Sequence, residues 1–156
     1  MGVFTADEVF QIALELEETG EVFYEAIAAG CGNEQVAAMC RRLAAQEAAH
    51  QQRFNQMRER FARQPATPPL SQEALDFAQA TINQRVIPNP AEARKIAGEG
   101  SLNHVLSLAI QLENDSISFY TNMLSVVPGD DARAVRQIVT EEQGHAKELT
   151  AARRNL

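Results

Sequence analysis

No two cysteines in this chain are spaced as C-x-x-C, so a zinc ribbon or a rubredoxin-type iron site within it is excluded. The two that exist, Cys31 and Cys40, are too few and too oddly placed for a disulfide framework, and reduced thiols are the expected state. Basic residues are also scarce: 14 Lys and Arg stand against 21 Asp and Glu, a net charge of -7. Neutralising a phosphate backbone needs a basic face, so a nucleic-acid partner is not expected. The acidity suits attraction of cations or of an electropositive protein, beyond its ordinary use in keeping a surface soluble. No segment approaches the roughly 18 apolar residues of a membrane span. The opening MGVFTADEVF lacks the basic start and apolar core of a signal peptide, so a cytoplasmic location is expected. Runs of β-branched residues are missing as well, which removes the usual signature of strands.

What remains is a helical composition at a length of 156 residues, enough for one domain around one core. Thr5-Ala6-Asp7-Glu8 reads as a capping box. An apolar stripe then runs at helical spacing through Phe10, Ala13, Leu14, Glu17, Tyr24, Ile27 and Ala28. Gly30 and Gly32 end it, and Asn33 caps a second helix carrying Val36, Met39, Leu43, Glu47, His50, Phe54 and Met57. That helix should stop near Pro65, Pro68 and Pro69. Ser71 to about Arg85 predicts one shorter helix, followed by a Pro88-Asn89-Pro90 turn and a few helical residues up to Gly98 and Gly100. A long helix resumes near Ser101 with Val105, Leu108, Ala109, Leu112, Glu113, Ile117, Tyr120 and Leu124. Pro128-Gly129-Asp130 reads as a turn with an Asp cap, before a last helix holding Val135, Ile138, Val139, Glu142, His145 and Leu149. The expected fold is all-α: one domain over 1–156, with hairpin one at 5–63, a crossover at 64–100 containing a short extra helix, and hairpin two at 101–154. Short turns inside the hairpins and a long connection between them predict a ferritin-like four-helix bundle rather than a simple up-and-down one.

The hairpins look like copies of each other. Glu17…Phe23-Tyr24 parallels Glu113…Phe119-Tyr120 at an offset of 96, and Glu47-x-x-His50 parallels Glu142-x-x-His145 at an offset of 95. All four glutamates interrupt apolar stripes. An isolated buried carboxylate costs several kcal/mol and would normally protonate, and four converging would also repel. Two divalent cations remove both problems, with the histidines as neutral donors. Glu and His three apart share a helix face and can reach one metal. With 16 glutamates in the chain, a histidine has a Glu three before it about one time in ten by chance, yet two of the three histidines do so at equivalent places of a repeat. Glu17, Glu47, His50, Glu113, Glu142 and His145 are therefore the candidate metal ligands, against the plainer alternative of acid–histidine pairs that only pin the helices.

Glu141 competes with Glu142, since it precedes His145 by four; the parallel with Glu47 selects Glu142. His104 has no acid at a useful spacing and is expected to be structural or exposed. Tyr24 and Tyr120 lie seven residues after their glutamates. Core packing explains them, and so does a hydrogen bond from each phenol to a ligand carboxylate across the bundle, from where it could donate a proton or an electron. Gly20 and Ser116, one turn after Glu17 and Glu113, leave room for a small oxidant or for close helix packing. Cys40 is expected to be buried and inert, and Cys31 lacks the cationic neighbours that activate a thiol.

These residues, Glu17…Phe23-Tyr24, Glu47-x-x-His50, Glu113…Phe119-Tyr120 and Glu142-x-x-His145, resemble the rubrerythrins of the ferritin-like superfamily over nearly the whole chain. The resemblance implies two iron ions in a non-haem centre that reduces hydrogen peroxide to water, a role in oxidative stress, and a rubredoxin as electron source. This chain departs from the family pattern in two places. It holds no four-cysteine rubredoxin site, so a separate redox protein would be the donor. Where the family carries a further glutamate one turn after the third-helix ligand, this chain has Ser116, which makes the set of four Glu and two His closer to that of bacterioferritin. The alternatives are an iron-oxidising protein that uses dioxygen and a non-catalytic bundle occupied by manganese or zinc. A homodimer is the expected assembly.

Overall fold

Thr5 starts the first helix by reciprocal capping: its hydroxyl accepts from Glu8 N at 3.3 Å, and the Glu8 carboxylate accepts from Thr5 N at 2.5 Å. The computed structural model describes residues 5–63 and 71–156. Six helices and no strand occur among them: α1 (Ala6–Gly30), α2 (Glu34–Ala62), α3 (Gln72–Gln84), α4 (Pro90–Glu99), α5 (Leu102–Met123) and α6 (Gly129–Arg154). Asn33, Ser71, Asn89 and Ser101 each accept a backbone N–H and so cap α2, α3, α4 and α5. Pro65, Pro68 and Pro69, expected to end α2, lie outside the described residues.

Two expectations change. The crossover holds two helices, not one followed by a few helical residues. Pro88-Asn89-Pro90 is a helix start: Asn89 Oδ1 accepts from Glu92 N at 2.9 Å, and Pro90 occupies the first turn, where a missing N–H costs nothing. Asp130 is not a cap. Pro128 holds that position without a side-chain hydrogen bond, and Asp130 and Asp131 lie in the first turn of α6, where acids complement the helix dipole. Asp131 accepts from Arg60 at 2.6 Å and so ties α6 to the end of α2.

The chain needs its crossover for a geometric reason. Arg60 near the end of α2 meets Asp131 at the start of α6, whereas Leu102 and Val105 at the start of α5 line a cavity with Gly30 at the end of α1. Hairpin one thus finishes at one end of the bundle and hairpin two begins at the other. The return path packs α4 on α1 and α3 on α5. It is latched by Arg85, whose buried guanidinium donates to Thr19 Oγ1 at 3.3 Å and lies 3.3 Å from Glu15 on α1. On α5, Asp115 accepts from the Val86 backbone.

The core is two apolar clusters with a polar layer between them. One gathers Phe10, Leu16, Phe54, Phe119, Tyr120 and Ile138; the other gathers Phe23, Tyr24, Leu43, Leu106, Leu112 and Leu149. Leu43 is fully buried, and its truncation to Ala would cost about 2–5 kcal/mol. Among the described residues no helix is long and apolar enough to cross a membrane.

Candidate metal centre

The polar layer consists of the six residues singled out by the repeat. Glu17 comes from α1, Glu47 and His50 from α2, Glu113 from α5, and Glu142 and His145 from α6. All are between 1% and 4% exposed, so water cannot be the main solvent of their charges. They form two overlapping groups, Glu17, Glu47, His50 and Glu142 in one and Glu47, Glu113, Glu142 and His145 in the other, with the donor atoms of each group within 4.8 Å of one another. Glu47 and Glu142 belong to both groups. With a cation in each group, Glu47 and Glu142 would serve both ions, and Glu17 and Glu113 would serve one each.

Both imidazoles face inward through Nδ1. His50 Nδ1 lies 3.0 Å from Glu142 and 3.3 Å from Glu17, and His145 Nδ1 lies 2.8 Å from Glu142, 3.3 Å from Glu47 and 3.6 Å from Glu113. The rings stack with centroids 5.8 Å apart. Despite these distances, Glu142 Oε2 and His145 Nδ1 are buried without a hydrogen bond among the described residues. Lone pairs that converge without pairing are what a pair of cations would satisfy, and four carboxylates with two imidazoles are a donor set for two divalent ions. The residues fit such a centre.

Without cations the charges strain each other. Burial pushes Glu17 well above the usual carboxylate range, with Glu47 beside it adding repulsion. Burial and then the neighbouring Glu142 raise Glu113 to about 8, and burial with Glu142 and Glu113 raises Glu47. Burial would lower the histidines, but hydrogen bonds to the surrounding carboxylates outweigh it, carrying His145 up to about 12 and His50 in the same direction.

The tyrosines cross the bundle. Tyr24 donates to Glu113 Oε1, and Tyr120 donates to Glu17 Oε1 at 2.5 Å, so each hairpin's phenol holds the other hairpin's terminal carboxylate. Burial first, then the facing carboxylate, raises both phenols well above their usual value, which keeps their protons in place. Gly20 sits against the bridge Glu47: a Cβ there would come within 3.4 Å of Glu47 Cγ and Cδ. Ser116 is buried one turn from Glu113.

Glu141 does not pair with His145. It turns to the other histidine, with Oε2 at 2.6 Å from His50 Nε2, and Arg53 donates to both its oxygens at 3.0 and 3.3 Å. Sequence reasoning missed this chain of contacts. The only signal was an acid directly before a ligand, and its partner depends on how α6 is rotated against α2. His104 is exposed. Cys40 is buried, and burial followed by nearby Cys31 raises its thiol to about 12; Cys31 Sγ donates to Asn33 O at 3.3 Å.

Six all-helical elements around a buried layer of glutamates and histidines define a ferritin-like bundle of the di-metal carboxylate class. Its fold is similar to the crystal structure of a protein from Thermotoga maritima described as ferritin-like and diiron-carboxylate, with a TM-score of 0.74 at 24% identity over 99% of this chain and 97% of that one. The rubrerythrin family model matches residues 8–152, and the chain belongs to the rubrerythrin family. A search of curated proteins finds no significant match.

Proposed function

We propose that this protein is a non-haem di-iron oxidoreductase that reduces hydrogen peroxide to water, with electrons from a separate redox protein such as a rubredoxin. The observation that supports it is the pair of four-donor groups sharing Glu47 and Glu142 inside a dry layer. Reduction of one peroxide consumes two electrons and two protons and yields two waters, and two iron ions cycling between ferrous and ferric would supply the electrons. Glu17, Glu47, His50, Glu113, Glu142 and His145 would hold them. Tyr24 and Tyr120 orient Glu113 and Glu17 and hold protons at Oη beside the site. The two apolar clusters exclude bulk water from the layer.

Ser116 favours a second reading. It stands where the resemblance to rubrerythrins places a seventh carboxylate, and a set of four Glu and two His suits an iron-oxidising centre working on dioxygen. Anaerobic loading with Fe(II), then addition of stoichiometric peroxide or of dioxygen, separates the two by absorbance. The peroxidase reading expects faster oxidation by peroxide and re-reduction by reduced rubredoxin. Faster oxidation by dioxygen with Fe(III) retained would replace it with iron handling, in which case sizing should reveal a storage shell rather than the expected homodimer. Inertness to both oxidants would leave a non-catalytic dinuclear bundle, with manganese or zinc as the occupants to seek.

A further inference from the structure

The two histidines are alike inside the site and unlike behind it. His50 Nε2 is held at 2.6 Å by Glu141, which is itself held by Arg53, and Arg53 donates in turn to Ala134 O at 3.3 Å. His145 Nε2 is buried and has no partner among the described residues. The repeat shows why. At the offset of 95 that relates His145 to His50, the counterpart of Glu141 is Gln46, an exposed neutral amide.

A carboxylate on the outer nitrogen of an imidazole takes its N–H, leaves the inner lone pair free for a metal, and makes that lone pair more basic. Arg53 keeps the Glu141 carboxylate in position for the task. The geometry points to two unequal metal positions, with the one beside His50 binding more tightly because Glu141 orients and polarises that ring while His145 lacks an equivalent acid. Glu141 is thus a positioning residue acting through His50. The inference rests on the di-metal reading of the site and goes beyond it by ranking the two positions.

Cobalt(II) serves as the probe. Metal-free protein is titrated anaerobically, with affinities read from visible d–d absorbance in competition with a chelator and from the solvent-exchangeable, hyperfine-shifted imidazole N–H signals in proton NMR. Wild type should take up two ions in two steps at least about tenfold apart, the scale on which outer partners of metal ligands act. The first equivalent should produce one shifted exchangeable signal. Glu141→Gln should weaken the first step about tenfold, bring the steps together and move that signal; its side chain is 38% exposed, so the change does not open the core. Glu141→Asp should recover part of the separation. Gln46→Glu is the independent arm and should strengthen the second step. Two equal steps in wild type, or an unchanged first step in Glu141→Gln, overturn the ranking and leave the di-metal reading standing. Uptake of fewer than two ions by wild type overturns both.

Discussion

Hairpin one, α1 with α2, sends Tyr24 to Glu113 of hairpin two, and α5 with α6 returns the arrangement through Tyr120 and Glu17. Glu47 and Glu142 occupy equal places between them, as do His50 and His145. Within one turn of these residues on each helix the likeness stops. Glu141 faces Gln46 as counterpart, Thr19 faces Asp115, and Gly20 faces Ser116. Side chains that must converge on common points keep the same identity in both copies. Those set by the local neighbour have diverged, and one such neighbour, Arg85, reaches Thr19 and Glu15 from the crossover, which has no copy at all.

The largest effect should come from the residues shared by both halves. Glu47→Ala or Glu142→Ala removes a donor from both four-residue groups, whereas Glu17→Ala or Glu113→Ala removes one from a single group. Metal analysis after dialysis should give about none retained for the bridges and about one for the terminal pair. Saturating metal at roughly a thousand times Kd should stabilise wild type by about 4 kcal/mol for each ion bound. In a domain of this size that is a rise in Tm of roughly 10 °C, and it should vanish in the bridge variants. Equal losses from bridge and terminal variants would break the division drawn between them.

The next effect compares the centre with and without metal. In the metal-free protein Glu113 has its carboxyl raised to about 8, from burial and then Glu142, while the unfolded chain keeps it at about 4.3. The folded state therefore binds more protons between those values, and stability falls as pH rises through them. His145, raised to about 12 by its carboxylate partners against its burial, adds stability that is full below about 6.5 and lost as pH climbs above it. Both slopes have the same sign, so urea midpoints of the metal-free protein should drop from pH 6 to pH 8.5. Metal replaces the protons and binds more tightly as pH rises, so the loaded protein should show the opposite trend. A metal-free midpoint that rises with pH would contradict the burial of these charges.

How much of this was readable beforehand follows from what each residue answers to. The four long helices were legible because their stripes have period 3.6 and three of their starts are capped, by Thr5, Asn33 and Ser101. The six polar residues of the central layer were legible because a repeat doubled a weak pattern, and the structure brings all six together. That Glu47 and Glu142 belong to both donor groups was not, since it depends on where α2 and α6 face each other. The partner of Glu141, passed over in favour of Glu142 as a ligand, was hidden for the same reason: spacing along α6 points to His145, but the bundle offers His50 at 2.6 Å. Helix α4 hid behind Pro88 and Pro90, which read as breakers until Asn89 is seen to cap the turn that Pro90 opens.

Smaller still, and matched between halves, should be the loss of either phenol. Tyr24→Phe and Tyr120→Phe each remove a buried hydrogen bond to a carboxylate, worth about 1.5–3 kcal/mol by denaturant unfolding of the loaded protein. Values agreeing within about 0.5 kcal/mol would support the crossed symmetry. A large gap would show that one terminal carboxylate relies on its tyrosine more than the other.

The smallest effect lies at the helix starts, where the hairpins differ most plainly. Thr5 caps α1 in both directions, and Asp7 adds an ion pair to Arg58 at 2.5 Å across to α2. Nothing caps α6 through a side chain, because Pro128 stands in that position with extended backbone, φ -77° and ψ 164°. Thr5→Ala should cost about 1 kcal/mol, the usual value of a lost N-cap. Pro128→Ser should act in the other direction, because the same extended backbone lets a serine hydroxyl accept from the free N–H groups of the first turn. The gain is reduced by the entropy that proline removed from the unfolded chain, about 0.4–1 kcal/mol, so a net stabilisation of only a few tenths is expected. The metal affinities of both variants should be unchanged, since Thr5 and Pro128 lie at the end of the bundle and outside both donor groups. If Pro128→Ser instead lost as much as Thr5→Ala, the rigid turn rather than the missing cap would be what sets the entry of α6. The second helices of the two hairpins, α2 with its Asn33 cap and α6 with Pro128, would then differ in how they are entered, not in how well they are capped.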